Sequence, residues 1–254
     1  MNTYRMNAVM VGALYFMGTV FGVSGTLIGG EVLTSLVSGK PLVGVDMLSL
    51  AAANSSRLTW GAFLTLMMGI SLASMTVFLY PVIRKASKEL AMGVVLFRGA
   101  LEGIFYFSSA LIILTLVALS NNYIATEADS VVLQSLGNVL YQFENLKGPV
   151  SSIIFLIGAT CIYLSFFRTR LIPRWLSVWG FIAVVTSMAA ALLKFFQLDT
   201  GIGFYLEMVM FPQELVMAVW LIVKGFNPST LAALSAKKER DEMYGADPRG
   251  SLAS

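Results

Sequence analysis

Apolar residues are grouped along this chain into six long runs, separated by shorter stretches that are rich in charge, glycine or proline. About 20 consecutive apolar residues span the hydrocarbon core of a bilayer as a helix that rises ~1.5 Å per residue. The runs predict six transmembrane helices, at residues 8–28, 58–83, 92–119, 149–167, 176–196 and 204–223. We therefore expect an all-α integral membrane protein in which residues 1–226 form a bundle of about six helices and residues 227–254 form a polar tail.

The first run, residues 8–28, is too long and too rich in glycine for a secretory signal, so we expect it to be retained as a helix. Its glycines come in pairs four residues apart, Gly18 with Gly22 and Gly25 with Gly29. Pairs with this spacing let a second helix approach closely. Glycine is also generally frequent in membrane helices, so both explanations stay open at this stage.

Lysine and arginine are concentrated in the turns after the second and fourth runs and in the tail. These residues are Arg84, Lys85, Lys88, Arg168, Arg170, Arg174, Lys224, Lys237, Lys238 and Arg240. The positive-inside rule places both termini in the cytoplasm, with short turns inside and longer, partly amphipathic connections outside. The end of the tail, residues 248–254 (PRGSLAS), partly resembles a protease site from an expression vector and is given no functional weight.

The longest connection, residues 121–148, contains a periodic pattern about four helical turns long. Its apolar face comprises Val132, Leu136, Val139, Leu140, Phe143 and Leu146, and polar side chains, Glu144 among them, occupy the opposite face. The pattern predicts a surface helix that lies on the membrane, caps the bundle or docks a partner, and we favour the cap. A second short interfacial helix is predicted at residues 45–53.

Composition excludes much chemistry. The chain is 57% hydrophobic and 12% charged, against about 25% charged in a typical soluble domain. It contains no histidine, which excludes histidine-ligated haem, most zinc and copper sites and the histidine-based catalytic triads. The single cysteine, Cys161, lies in an apolar run and is expected to be a buried hydrophobic residue. No phosphate-binding loop or metal-ligand spacing is present, so we predict no cofactor and no metal. We also predict no nucleic-acid partner, because the basic residues are topological signals.

Charged residues inside the apolar runs are the candidate functional residues. Arg98 and Glu102 lie four residues apart and therefore on one face of the third helix, with Tyr106 one turn further along. Glu214, which follows Pro212 in the sixth run, lies at a comparable depth of about 15 Å. We expect these four residues to form a site for a ligand or a proton, and we expect Pro212 to interrupt its helix and free a carbonyl group.

The charges of this inner group do not balance. Two carboxylates, Glu102 and Glu214, face one guanidinium, Arg98, so one carboxylate must be protonated or meet a cation or a cationic ligand. The alternative is a purely structural ion pair that fixes the helix register. Near the outer surface, Lys194 and Glu207 are predicted to form an interfacial ion pair, with Asp199 close by.

Three segments of the chain carry a family resemblance. They are Tyr4-Arg5 through Gly12, Tyr15 and Gly18; residues 172–180 (IPRWLSVWG); and Pro212 with Glu214, followed by residues 220–226 (WLIVKGF). Together they resemble the bacterial membrane-protein family known as domain of unknown function 4386. The resemblance covers most of residues 4–226. It implies an integral protein of about six or seven helices in a bacterial inner or plasma membrane, and it implies no settled activity.

Three hypotheses follow for the function. The first is a protein that binds or transports a small solute or ion at the buried polar pocket, with proton coupling through a carboxylate. The second is a non-enzymatic scaffold or sensor that interacts with a partner protein or lipid. An intramembrane enzyme is the weakest, because no recognisable catalytic set accompanies the carboxylates. The expected partners are the bilayer, a small solute, ion or lipid ligand, and a second copy of the chain, since six helices without an internal repeat could form a pathway as a homo-oligomer.

Overall fold

The computed structural model describes residues 3–38, 42, 46–126 and 130–245 of the 254-residue chain. The helices in this part are α1 (Thr3–Ser38), α2 (Met47–Ala53), α3 (Ser55–Ile83), α4 (Lys88–Gly93), α5 (Glu102–Ala125), α6 (Ser130–Thr169), α7 (Arg174–Phe195), α8 (Ile202–Glu207), α9 (Met210–Val223) and α10 (Pro228–Gly245), and a π-helical segment, Val94–Leu101, joins α4 to α5. The start of the predicted interfacial helix, at residue 45, and residues 248–254 lie outside the described residues.

Six segments of the described chain are long and apolar enough to cross a membrane. They are Thr3–Ser38, Ser55–Ile83, Lys88–Ala125, Val131–Thr169, Arg174–Phe195 and Ile202–Val223. The predicted all-α fold with six membrane-spanning segments is therefore confirmed.

The glycines of α1 allow α3 to pack closely against it. A Cβ atom at Gly25 would lie 3.2 Å from Leu64 Cβ and 3.3 Å from the Gly61 carbonyl oxygen, so the two helix backbones almost touch there. Gly18 and Gly22 face larger side chains of α3 in the same way. Close packing is therefore the explanation that these glycine pairs support, in addition to their general frequency in membrane helices.

Helix α6 joins two segments that the sequence pattern separates. Residues 131–146 were expected to form a surface helix, with a new span beginning at Pro149, whereas the structure has one helix of 40 residues. Proline removes one backbone hydrogen bond from a helix interior. Side-chain contacts support the preceding turn, because Lys147 Nζ donates to the Phe105 carbonyl oxygen at 3.1 Å and pairs with Glu144 at 2.8 Å.

The apolar face of the first half of α6 points away from the bundle. Val139 and Leu146 are 61% and 64% exposed, whereas Gly137, on the opposite face, is buried. A helix that capped the bundle in water would bury its apolar face, whereas a helix in contact with lipid exposes it. The structure therefore disagrees with the predicted cap and fits lipid contact.

The core contains two apolar clusters, and along the third span the charged residues lie between them. The first cluster includes Val11, Met75, Leu79, Val94, Leu156 and Phe166, and the second includes Val32, Leu33, Leu48, Leu58, Ile113 and Leu116. Along the third span the order is Val94, then Arg98 and Glu102, then Ile113. The charged side chains therefore lie between two cores, where each must be satisfied by another protein group or by a ligand.

We predict that Gly25→Leu destabilises the protein, because a large side chain cannot fit between α1 and α3. Overpacking of this kind costs about 1–3 kcal/mol. The measurement is the unfolding temperature of the purified protein in detergent, compared with Leu27→Phe, which adds volume on the outward face of the same helix, where Leu27 is 71% exposed. Equal unfolding temperatures for the two variants would contradict the close approach of α1 and α3.

Candidate binding site

Arg98 lies within the π-helical segment Val94–Leu101 and is 2% exposed. Short π-helical segments are frequent at functional positions of helices. Glycines bring the neighbouring helices close to this segment, since a Cβ atom at Gly158 of α6 would lie 2.9 Å from the Arg98 backbone nitrogen, and one at Gly99 would lie 2.7 Å from Thr76 Oγ1 of α3. The local backbone therefore encloses the guanidinium group between α3 and α6.

The guanidinium of Arg98 connects three of the membrane-spanning segments. Its Nη1 atom donates to Glu102 Oε1 at 2.5 Å and to Oε2 at 2.6 Å, and its Nη2 atom donates to the hydroxyl of Tyr15 at 2.6 Å. Nη2 also lies 3.4 Å from Glu214 Oε1, which accepts a hydrogen bond from the Tyr15 hydroxyl. Tyr106 donates to Glu102 Oε1 at 3.1 Å. The structure thus brings together the four residues that the sequence singles out, and it adds Tyr15.

Aromatic rings enclose the same guanidinium. Arg98 Cζ lies 4.2 Å from the ring centroid of Phe155 and 5.2 Å from that of Tyr15, within the range of cation–π attraction. The Nε atom of Arg98 is buried and has no hydrogen-bond partner among the described residues. The two Nη atoms of Arg98 are therefore held by hydrogen bonds, and its Nε–H group is left without an acceptor among the described residues.

Glu214 is positioned by its neighbour Gln213, which is fully buried. Gln213 Oε1 accepts from the Tyr163 hydroxyl at 2.5 Å, and Nε2 donates to the Leu176 carbonyl oxygen at 3.2 Å. These bonds tie α9 to α6 and α7. The interruption expected at Pro212 lies just before it, between α8 and α9, so the proline occupies the first turn of α9, where its missing N–H needs no helical partner.

A second charged group, which the sequence argument did not identify, lies beside the first. Lys147 of α6 pairs with Glu144 at 2.8 Å, and both side chains bond to the hydroxyl of Ser109 on α5. The sequence pattern that could have identified this pair is a Glu and a Lys three residues apart, directly before the apolar run of the fourth span. It was overlooked because residues 131–146 were assigned to a surface helix, where such a pair is ordinary.

One cavity of about 530 Å³ connects these groups. It lies between α1, α3, the π-helical segment and α5–α9, and its lining includes Arg98, Glu214, Lys147, Glu144, Glu207 and Ser187. Pockets for small molecules usually measure about 300–1,000 Å³ and combine apolar walls with a few polar groups. Gly18, Leu72, Phe105 and Phe155 supply such walls here.

The formal charges around the cavity leave one carboxylate in excess. Arg98 pairs with Glu102, Lys147 with Glu144, and Lys194 with Glu207, so Glu214 shares the Arg98 guanidinium with Glu102. No other described cation lies within 4 Å of Glu214. The Glu214 side chain is also 17% exposed, compared with 1% for that of Glu102. Glu214 is therefore the carboxylate that a ligand can reach.

The outer residues Lys194 and Glu207 form an ion pair at the edge of this cavity, which Glu207 also lines. Lys194 Nζ is 2.7 Å from Glu207 Oε2, and each side chain is 35% exposed, so this ion pair contributes little stability. Asp199 does not join it. Its carboxylate accepts from the backbone N–H groups of Gly203 and Gly201, both at 2.9 Å, and these bonds lower the pKa of Asp199 below its usual range.

We predict that Glu102→Gln destabilises the protein more than Glu214→Gln does. Loss of the Glu102 charge leaves a buried guanidinium without its main partner, which costs about 3–5 kcal/mol. Glutamine at position 214 can still accept from Tyr15, and that site is partly exposed. The free energy of unfolding of both variants is measured in mixed detergent micelles. Both substitutions replace a carboxylate by an amide, so the chemical change is the same. Equal losses of stability would contradict this prediction, because both carboxylates would then contribute equally to the stability of the fold.

Of three comparisons with known proteins, one identifies a family. A search of functionally curated proteins and a search of solved structures give no match. A family model described as domain of unknown function (DUF4386) matches residues 10–225, which is most of the chain. The chain is therefore a member of the DUF4386 family.

Proposed function

We propose that this protein binds a small, positively charged solute or ion in the central cavity and moves it across the membrane. The observation that carries the proposal is Glu214, a carboxylate that borders the cavity and shares its only described cationic partner with Glu102. A bound cation would supply the missing positive charge. In its absence a proton on the carboxylate would serve the same purpose, which would couple ligand binding to proton release.

Two buried polar atoms add to this support. Arg98 Nε and Ser187 Oγ have no hydrogen-bond partner among the described residues, and both residues line the cavity. A buried polar atom without a partner costs about 1–3 kcal/mol. A solute with a cationic group for Glu214 and an acceptor for Arg98 Nε would satisfy the local chemistry better than a bare metal ion would.

The scaffold hypothesis has weaker support. It would use the exposed apolar face of α6, including Val132, Val139 and Leu146. That face is what a helix in contact with lipid exposes in any multi-pass protein, so it does not require a protein partner. It also leaves the buried charges and the cavity without a role. The binding proposal accounts for both.

We predict that Glu214→Gln weakens cation binding about tenfold or more, since a hydrogen bond to a charged group contributes about 1.5–3 kcal/mol. The test is the shift in unfolding temperature on adding protons, alkali cations, and small primary and quaternary amines. Currents across membranes that contain the protein are then recorded with the same panel. They show whether a cation that binds is also transported.

Glu89→Gln is the matched control, because Glu89 lies on α4 away from the cavity and is exposed to solvent. This variant should respond as the wild type does. If no member of the panel binds, or if Glu89→Gln and Glu214→Gln weaken the response equally, the proposed function is wrong.

A further inference from the structure

A second cavity, of about 490 Å³, lies at the end of the bundle where α6 gives way to α7 and α9 gives way to α10. Three of the residues lining it are basic, namely Arg170, Arg174 and Lys224. None of its described lining residues is acidic. The cavity therefore concentrates positive charge at one point of the surface.

These three cations are not neutralised within the described part of the chain. No ion pair joins any of them to a described carboxylate. Arg174 instead lies over the ring of Phe167, with its Cζ atom 5.3 Å from the centroid. A cation–π contact does not use the N–H donors of the guanidinium, so these can still bind an anion. Like charges that share a cavity repel each other unless an anion lies between them.

Helix capping does not explain why Lys224 lies in this cavity. A cation near a helix C-terminus is stabilised by the exposed carbonyl groups, which would be the simplest role for Lys224 at the end of α9. Arg5 already fills that role, because its Nη2 atom donates to the carbonyl oxygens of Ile222 at 2.7 Å and Val223 at 3.1 Å. Lys224 is exposed and lines the cavity instead.

Tryptophan marks the depth of this cavity in the membrane. Trp220 lines it and packs against Trp175 with ring centroids 6.3 Å apart, and Trp175 stacks on Trp179 at 6.5 Å. Trp175 is 53% exposed although it is large and mostly apolar. Tryptophan is enriched at the level of lipid headgroups, where one part of the ring is apolar and the N–H group is hydrated. The cations therefore lie at headgroup depth.

We propose that this cavity binds the phosphate of an anionic phospholipid on the basic end of the bundle. Guanidinium groups bind phosphate oxygens through paired hydrogen bonds, and an ammonium group adds a point charge. The acyl chains of such a lipid would extend past Trp220 along the apolar surface of the bundle. By the positive-inside rule this end faces the cytoplasm, and anionic lipids on that side attract basic clusters. This site is separate from the central cavity and does not depend on the proposed transport activity.

The experiment is native mass spectrometry of the full chain in mild detergent, titrated with phosphatidylglycerol or phosphatidylcholine. The test variant combines Arg170→Gln, Arg174→Gln and Lys224→Gln. The control variant combines Arg84→Gln, Lys88→Gln and Arg168→Gln, which removes three positive charges from the same end outside the cavity. Since each basic residue near a membrane surface strengthens the attraction of acidic lipid, we expect the test variant to lose phosphatidylglycerol affinity on the order of tenfold or more.

The wild type and the control variant should both retain phosphatidylglycerol in preference to phosphatidylcholine. Equal loss in the test and control variants would overturn the proposal, since it would reduce the effect to the net charge of this end. Displacement of the lipid by millimolar inorganic phosphate alone would also overturn it, because the ligand would then be a soluble anion. If the triple variant does not fold, Lys224→Gln alone changes one exposed side chain, and unchanged lipid preference in that variant would count against the site.

Discussion

The rest of this structure depends on the burial of one guanidinium. Arg98 is 2% exposed within a membrane-spanning segment, and a charge at such a position needs partners on neighbouring helices. Glu102 of the same segment accepts two short hydrogen bonds from the guanidinium, and Tyr15 and Glu214 add contacts from α1 and α9. The glycines beside Arg98 and the Gln213 anchor then follow from the need to hold these groups in contact. The polar layer between the two apolar cores is thus built around Arg98.

Much of this arrangement follows from sequence by simple physics. Long apolar runs predict the six spans, the four-residue spacing predicts the Arg98–Glu102 pair, and depth along the helices places Glu214 level with them. From the sequence, Tyr15 enters through the family resemblance and not as a member of the inner group, because a tyrosine in an apolar run packs as a hydrophobe as readily as it donates a hydrogen bond. Lys147 and the continuity of α6 through Pro149 depend on contacts with α5, which no local pattern contains.

Two kinds of charge therefore serve different purposes in this protein. Charges of the polar layer are almost fully paired, and the one carboxylate left in excess, Glu214, borders the central cavity. Charges at the basic end are exposed and unpaired among the described residues, and they gather beside tryptophans at the predicted membrane surface. The first arrangement favours a small cationic solute inside the bundle, and the second favours an anionic lipid outside it.

The most direct test of this account measures the charge and the accessibility of the central cavity together. In a chain in which Cys161 is replaced by serine, Ser152→Cys places one thiol on the cavity wall. Its reaction rates with a cationic and an anionic methanethiosulfonate of similar size are each divided by the rate for a free thiol. We predict that, at a pH at which the Glu214 carboxylate is ionised, the cationic reagent is favoured over the anionic one by about tenfold or more, because one unpaired negative charge attracts the first reagent and repels the second, and that Glu214→Gln removes the preference. A thiol that reacts with neither reagent, or with both equally, would contradict an accessible cavity governed by the Glu214 carboxylate.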